Sequence, residues 1–361
     1  MDDVAGLVGR LMSVARVARD SEADDDCHAY WGLVWETAQR EGGEAAWRGG
    51  AGLLGSADVL ERKVGADLVG SLAEAHEDLR SEVATALMAR ADVETETCVL
   101  LSLARGLGRS QDSRAVPVLV RLSGHEEAEV RCQVASELSL TNSGSADGPD
   151  VRALIRLTRD QDADVRNWAA FTLGFQLEHD TTAIRDALWT CTTDECDEVR
   201  EEGARGLARR HDPRAVPLIA RLLASDDGNR AFILEAAAIL GVPELLPALE
   251  TCEPDSPETD RVIAACDPVR RARMEGDAWT VVVELERLRS DLGAALSSPR
   301  YESVHGMQVT HRESGDAVYD VASLLSRAGG DPTRAAELVV ADLTGTAVSG
   351  PRADGLPESS R

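Results

Sequence analysis

The fold is decided by a segment that occurs twice, as DSRAVPVLVRL at residues 112–122 and as DPRAVPLIARL at residues 212–222. Each copy begins with an Asp that can cap a helix, and its apolar residues recur at helical spacing. The copies lie 100 residues apart, which is about three units of 33 residues. This offset predicts a repeat protein in which other units separate the two copies.

Two further columns of residues recur at the same period. An acidic turn followed by Val-Arg forms the first column: Val130-Arg131, Val165-Arg166 and Val199-Arg200. A Leu followed by a small residue forms the second column: Leu107-Gly108, Leu173-Gly174, Leu207-Ala208 and Leu240-Gly241. We therefore predict units of two helices, an A helix that contains Val-Arg and a B helix that contains the repeated segment. Neither helix can bury its apolar stripe alone, so the units must stack.

The pattern resembles HEAT repeats, in particular the bacterial HEAT-like repeats first described in phycobilisome lyases. The matching stretches include DVRNWAAFTLG at residues 164–174 and residues 197–222, and the resemblance covers about residues 92–250. It implies an all-α fold, a right-handed α-solenoid of stacked helical hairpins. Such a resemblance identifies a fold well and a function poorly, because one repeat architecture hosts many functions.

The predicted organisation has five parts. We expect an N-terminal helical cap over residues 1–50, the repeat array over 51–253 and two capping helices over 254–292. The apolar stripe of the capping helices is predicted at Trp279, Val282, Leu285 and Leu288. Residues 293–343 are predicted to form a linker, up to about residue 313, and a short helical pair that begins at Asp316 and at Asp331-Pro332. The Gly, Pro and Ser content of residues 344–361 predicts a disordered tail.

Charge and cysteine content exclude several classes of protein. The formal net charge is −26 and the isoelectric point is about 4.6, which disfavours binding to a phosphate backbone. The seven cysteines are irregularly spaced, so we expect reduced thiols rather than a metal site, and no cofactor. No apolar stretch is long enough for a signal peptide or a membrane span, which predicts a cytoplasmic protein.

Enzymes with related repeats provide the alternative functions. Deoxyhypusine hydroxylase resembles this fold and binds two irons through His-Glu pairs that directly follow the Val-Arg position. The residues that follow it here are different: Cys132-Gln133, Asn167-Trp168 and Glu201-Glu202. His76-Glu77 and His125-Glu126 are His-Glu pairs, but they fall in predicted turns. An enzyme or accessory of the lyase or hydroxylase group remains the alternative. The aromatic residues Trp168, Phe171, Phe175 and Trp189 slightly favour a DNA-binding HEAT-like protein, which the net charge opposes.

The B helices supply the candidate binding residues. Alignment of these helices places six residues between the core positions, where their side chains should point outward: Arg121, Arg152, Arg156, Arg185, Trp189 and Arg221. We call these six residues the B-helix stripe. Arg and Trp are enriched at binding hot spots, and Arg pairs with carboxylates through two hydrogen bonds.

The sequence therefore predicts a non-enzymatic scaffold. It would bind another protein on the B-helix face, which we expect to be concave, and the arginines there suit an acidic segment of that protein. Alternatively, the arginines of the stripe pair with acidic residues of adjacent repeats and are structural. That structural role is our prediction for the Val-Arg column itself, at Arg131, Arg166 and Arg200.

Overall fold

The computed structural model describes residues 4–20, 24–39, 43–141, 143–225, 229–252, 257–296, 306–311 and 315–344. The chain divides into two compact units, Met1–Arg210 and His211–Arg361. The boundary between the units falls inside the predicted repeat array, between an A helix and the B helix that follows it. Each unit is described separately below.

The first unit consists of helices in the described part of the chain: α1 (Val4–Asp20), α2 (Asp24–Ala38), α3 (Glu44–Leu54), α4 (Val59–Ala75), α5 (Arg80–Ala91), α6 (Thr97–Arg109), α7 (Val116–Leu122), α8 (Ala128–Glu137), α9 (Pro149–Leu157), α10 (Ala163–Phe171), α11 (Thr182–Cys191) and α12 (Asp197–Arg209). The A helices are α4, α6, α8, α10 and α12, and the B helices are α5, α7, α9 and α11. The predicted all-α fold of stacked helical hairpins is thus present.

Local sequence signals start these helices where the repeat predicts. The carboxylate of Asp162 accepts a hydrogen bond from the Val165 amide and caps α10. In the repeated segment, Asp112 accepts a hydrogen bond from the Arg114 amide, and Pro117 occupies the first turn of α7, where its missing N–H does no harm. Between the two helix layers, a core of fully buried leucines includes Leu103, Leu119, Leu138, Leu154 and Leu173. Each such side chain contributes about 1.5–3 kcal/mol of burial free energy.

An arginine of the A helix joins successive turns of the stack. Arg166 donates two hydrogen bonds to the Asp194 carboxylate, both at 2.8 Å, and its Nη1 donates to the carbonyls of Asp160 and Gln161. Asp160 in turn receives two hydrogen bonds from Arg131 of the preceding repeat, at 2.8 and 2.7 Å. We call this arrangement the arginine clamp. It confirms the predicted pairing of Arg131 and Arg166 with inter-repeat acids.

The clamp recurs in α4, whereas α6 and α12 depart from it. Arg62 of α4 donates two hydrogen bonds to Glu94, which lies before α6. Burial alone would raise the pKa of the Glu94 carboxyl, but hydrogen bonds from Arg62 and from backbone amides lower that pKa to about 2. In α6 the clamp position is occupied by the buried Leu100. Arg200 donates to the Asp194 carbonyl and pairs with Asp197 of its own first turn.

Glycines bring consecutive A helices into direct backbone contact. A Cβ atom placed on Gly70 of α4 would lie 2.7 Å from the Cα atom of Gly106 in α6. A Cβ atom placed on Gly206 of α12 would likewise lie 2.8 Å from the Cα atom of Gly174. Because real side chains do not tolerate such distances, only glycine permits this spacing.

This close spacing identifies the inner side of the first unit. The A helices α8 and α10 are similar in length to the B helices α9 and α11. Yet α8 and α10 pack against each other over far more of their length than α9 and α11 do. In a curved two-layer stack, the more closely spaced layer lies on the inner side, so the A helices form the concave face. The prediction that the B helices line the concave face was wrong, because helical periodicity carries no information about the spacing between like helices.

The second unit combines helices with a small sheet: α13 (Ala215–Leu223), α14 (Arg230–Leu240), α15 (Leu246–Leu249), α16 (Pro257–Cys266), α17 (Pro268–Leu288), β1 (Gly293–Leu296), β2 (Gly306–His311), β3 (Gly315–Asp320), α18 (Val321–Arg327) and α19 (Pro332–Thr344). The strands are antiparallel in the order β1-β2-β3, with Ala294 opposite Val309 and Met307 opposite Tyr319. Met307 and Val309 are buried against apolar residues of α17, α18 and α19.

Three predictions for this unit differ from the structure. Strands β1 and β2 occupy the predicted linker, because an alternation of a few residues such as Met307 and Val309 is too short to recognise among polar neighbours. Asp316 lies in β3, and Asp320 caps α18 instead, accepting a hydrogen bond from the Ser323 amide at 2.6 Å. In α17 the buried face includes Ala278 and Val281, whereas Trp279 is 60% exposed. The predicted tail from residue 345 onward lies outside the described residues.

The glycine contact predicts how the A-helix layer responds to substitution. We expect Gly70→Ala to lower the unfolding free energy by about 1–3 kcal/mol, because the added methyl group must displace the α6 backbone. Gly52→Ala is the matched control, since Gly52 lies in α3 with no heavy atom within 4 Å of an added Cβ. We expect this control to be neutral or to stabilise by up to about 1 kcal/mol. Urea unfolding of both variants checks this, and equal stability of the two variants would contradict the close contact.

Candidate protein-binding surfaces

A cavity of about 590 Å³ opens on the A-helix face between α6, α8 and α10. Helix α8 lines it with Glu129, Gln133 and Glu137, which are spaced four residues apart and therefore share one side of the helix. Helix α10 contributes Trp168, and α6 contributes Arg105. The cavity is thus built from residues that the repeat leaves outside both the core and the clamp.

Glu137 forms the buried part of the cavity wall and is only 9% exposed. A Cβ atom on Gly108 of α6 would lie 2.8 Å from the Cβ atom of Glu137, so a glycine is needed there to make room. Gln133 donates a hydrogen bond of 2.7 Å to the Glu137 carboxylate. Burial raises the pKa of Glu137 to about 7, and the nearby Arg105 and Arg109 only partly oppose that rise.

Next to the cavity, cationic side chains of α4 and α6 lie around the ring of Trp31, which belongs to α2. The Arg105 guanidinium lies 5.0 Å from the centre of the Trp31 ring, and the Arg109 guanidinium lies 5.8 Å from it. Lys63 pairs with the buried Asp67 at 2.8 Å, and Arg105 approaches the same carboxylate at 3.7 Å. These contacts neutralise much of the positive charge and hold Trp31 and Arg105 in fixed positions.

A group of aromatic rings adjoins the α10 side of the cavity, and Trp168 is the ring that lines it. The rings of Trp168 and Phe171 meet edge to face at 5.8 Å, and Phe171 stacks on Phe175 at 5.9 Å. Arg205 and Arg209 of α12 lie over the Phe175 ring at 4.7 and 4.8 Å. Trp168 is nevertheless 41% exposed, so a rigidly supported indole faces solvent beside the cavity.

A buried arginine binds the backbone of the turn that carries Phe175. Helix α10 ends in a π-helical turn at Thr172–Gln176, whose carbonyls lack regular helical partners. Arg210 donates hydrogen bonds to the carbonyls of Leu173, Gly174 and Leu177. Burial lowers the pKa of Arg210 to about 10, which leaves it charged at neutral pH.

Several thiol and imidazole groups, which are common in catalytic sites, lie in the described part of the chain. Burial raises the pKa of the Cys132 thiol, which lines the cavity, to about 11, so this thiol is a poor nucleophile near neutral pH. In the described ranges, no three His, Cys, Asp or Glu side chains converge as metal ligands would. His76 lies after α4 with its Nε2 2.8 Å from the Ala38 carbonyl, and His125 accepts from the Glu127 amide. Nor is any helix there both long and apolar enough to cross a membrane.

The B-helix stripe lies on the opposite side of the helix layers from the cavity in the first unit. Arg121, Arg152, Arg156 and Trp189 are exposed there and Arg185 is half-buried, while Arg221 is exposed in the second unit. The outward direction that the helical spacing predicted is therefore present at these positions.

Most arginines of the stripe also have partners within the chain. Arg121 pairs with Asp92 of the preceding repeat at 2.7 Å, in a contact where the two side chains are 51% and 58% exposed. Two others pair with acids of their own loops, Arg152 with Asp147 and Arg185 with Asp180. Arg156 donates to the Ser123 hydroxyl of the preceding repeat. Since exposed pairs of this kind contribute only about 0–1 kcal/mol, a competing carboxylate could displace them at little cost.

Comparison with known proteins identifies the repeats. The profile of the family described as HEAT repeats matches residues 85–174, 151–230 and 184–267, together just over half of the chain. The chain belongs to the HEAT repeat family. This confirms the family that the Val-Arg and Leu-small columns indicated.

The chain is also similar to individual proteins of known sequence or structure. Protein YibA of Escherichia coli strain K12 is 33% identical over 109 residues, which are 30% of this chain and 38% of YibA. The solved structure of Escherichia coli YibA superposes with a TM-score of 0.55 at 23% identity, covering 73% of this chain and 97% of that one. The complex of CpcE and CpcF of phycocyanin lyase from Nostoc sp. PCC7120 gives a TM-score of 0.40 at 20% identity, covering 61% and 92%.

Sequence reasoning missed the cavity, although part of its signal was visible. Cys132, Gln133 and Trp168 follow the Val-Arg positions of two HEAT repeats, which are the positions that His-Glu pairs occupy in the hydroxylase group. Glu137 could have been found as the residue one turn beyond Gln133. Its burial depends on Gly108 of the neighbouring A helix, and no local pattern reveals that contact.

The raised pKa of Glu137 predicts a pH dependence of stability. The folded protein holds this proton more tightly than the unfolded chain, whose Glu pKa is about 4.5. The corresponding stability is therefore complete below pH 4.5 and is lost as the pH rises through 7, by roughly 3 kcal/mol. Glu137→Gln removes this loss. We expect the unfolding free energy of the variant, measured relative to wild type, to rise by that amount between pH 5 and pH 8.

Wild type and variant share the other carboxylates, so the contributions of those groups to the pH dependence of stability cancel. The lowered pKa of Glu94, for example, changes stability only below about pH 4.5 in both proteins. A stability difference between the two proteins that stays constant from pH 5 to pH 8 would contradict the burial of Glu137.

Proposed function

We propose that this HEAT repeat protein is a non-enzymatic adaptor that binds another protein, chiefly through the concave A-helix face of its first unit. The observation that carries the proposal is the exposed Trp168, which is braced by Phe171 and Phe175 beside an open cavity. Rigid aromatic residues next to arginines are typical of binding hot spots, because they bury a large area at little entropic cost.

The A-helix face suits this role because the repeat is held together elsewhere. The clamp uses only the first turn of each A helix, and the core uses the side that faces the B helices. The remaining surface carries Arg105 of α6 and Trp168 of α10, and Trp31 of α2 adjoins it beside Arg105. A partner segment that follows this surface would contact several repeats at once, as extended repeat surfaces allow.

The stripe residues of the first unit are proposed as a second surface, on the B-helix side of that unit, and Arg221 is proposed as a separate contact in the second unit. The exposed arginines of the stripe would bind an acidic segment of a partner, exchanging weak internal pairs such as Arg121–Asp92 for pairs with that segment.

The protein is proposed to work in a reducing, cytoplasmic compartment. Free thiols at the described cysteines, for example Cys98 and Cys252, fit such a compartment.

Partner capture with two sets of variants tests the proposal. Ser136→Trp places a large ring on the cavity wall and should reduce recovery of the bound partner by roughly tenfold, because it occupies the docking face. Thr280→Trp, on an exposed side of α17, is the matched control and should leave recovery unchanged. Circular dichroism establishes that both variants fold.

The stripe is tested by reversing Arg121, Arg156 and Arg221 to Glu, with Arg48, Arg273 and Arg287 reversed as the charge-matched control. If the stripe binds an acidic segment, only the first set should lose that partner. Full partner recovery by the Ser136→Trp variant would contradict the assignment of the A-helix face, and full recovery by the first set would contradict the stripe.

A further inference from the structure

The charge of the A-helix cavity differs sharply from that of the B-helix stripe. Glu129 of α8 and Asp164 of α10 stand exposed at its rim, and Asp162 lines it beside them. In the described part of the chain, neither Glu129 nor Asp164 has a cationic side chain within salt-bridge distance. The cavity therefore presents negative charge that the protein does not itself neutralise.

An aromatic ring adjoins this charge. Asp164 and Trp168 are four residues apart on α10, so the carboxylate and the indole lie next to each other on the same side of the helix. Phe171 packs edge to face against Trp168 and supports the position of the ring. A carboxylate beside a fixed, exposed indole is the combination that holds a cation by ion pairing and by attraction to the ring face.

The cation that the cavity itself contains does not cancel this effect. Arg105 is directed to Gln133, to which its Nη2 donates at 3.0 Å, and towards Asp67 and the ring of Trp31. These contacts hold its guanidinium on the α4 and α6 side of the cavity. The side formed by Glu129, Asp164 and Trp168 remains acidic.

The size of the cavity indicates what kind of cation fits. A volume of about 590 Å³ lies within the range of about 300–1,000 Å³ that is typical of ligand pockets. It exceeds the needs of a single ion and accommodates a long side chain together with flanking backbone. A planar guanidinium can stack on the Trp168 ring while it pairs with a carboxylate through two hydrogen bonds, which an ammonium group cannot do.

We propose that this cavity binds an arginine side chain presented by the partner protein, with Trp168 stacking on the guanidinium and Glu129 and Asp164 pairing with it. The inference rests on the proposed adaptor function and adds to it the chemistry of the partner. It also complements the net charge of −26, which attracts basic segments over long distances.

Fluorescence anisotropy with a short labelled peptide, in which arginines are spaced by glycine and serine, tests the proposal at near-physiological salt. Wild-type protein should bind the peptide saturably, and more tightly than the same peptide with lysines. Trp168→Leu should weaken binding by roughly fivefold, as loss of one cation–π contact would. The control Trp279→Leu removes a comparably exposed indole from α17 and should change binding by less than about twofold.

The carboxylates are tested in the same way. Glu129→Gln combined with Asp164→Asn should weaken binding by roughly fivefold, whereas Glu77→Gln combined with Asp147→Asn changes the net charge equally and should have little effect. Equal losses in both pairs would show that only net charge attracts the peptide and would overturn the proposal. Lysine peptide that binds as tightly as arginine peptide would overturn the stacking on Trp168.

Failure of this inference is distinguishable from failure of the adaptor function. If the arginine peptide does not bind although Ser136→Trp still reduces partner capture, the face binds a partner of different chemistry. If Ser136→Trp leaves capture intact while the peptide binds as described, the cavity takes arginine but is not where the captured partner docks.

Discussion

The pairing of a buried arginine with an acid of the following turn organises the first unit. Arg131, Asp160, Arg166, Asp194 and Arg200 form a continuous series, since each acid receives one arginine on its carboxylate and the next on its backbone carbonyl. A buried ion pair alone gains little over its desolvation cost. Here the additional carbonyl acceptors satisfy the guanidinium, so each clamp fixes the turn before its helix relative to the turn of the next repeat.

The clamp acts at the helix starts, and glycines act farther along the same helices. Gly70 against Gly106, and Gly174 against Gly206, let the A helices approach to backbone contact, which places these helices on the concave side. Because both devices use residues at the start of the helices or between them, the remaining A-helix surface is available for binding. The cavity with Glu137 and Trp168 lies on that surface, and the aromatic and charged groups around it are held in place by contacts within the unit.

The sequence predicted the features that recur with the repeat. The helical hairpins, the caps such as Asp162 and the pairing of Arg131 and Arg166 follow from columns that repeat every 33 to 35 residues. The concave side and the cavity could not be predicted, because they depend on distances between helices that one copy of the pattern does not encode. The strand at Gly306–His311 was missed for a different reason, since six residues give too few alternations to separate a strand from a loop.

A double-mutant cycle on Arg166 and Asp194 tests the central claim most directly, using the unfolding free energies of Arg166→Ala, Asp194→Ala and the double variant. The account predicts a coupling energy of about 2 kcal/mol or more for this pair, and less than about 1 kcal/mol for the exposed pair Arg121–Asp92 treated in the same way. Coupling between Arg166 and Asp194 no larger than that of the exposed pair would contradict the account.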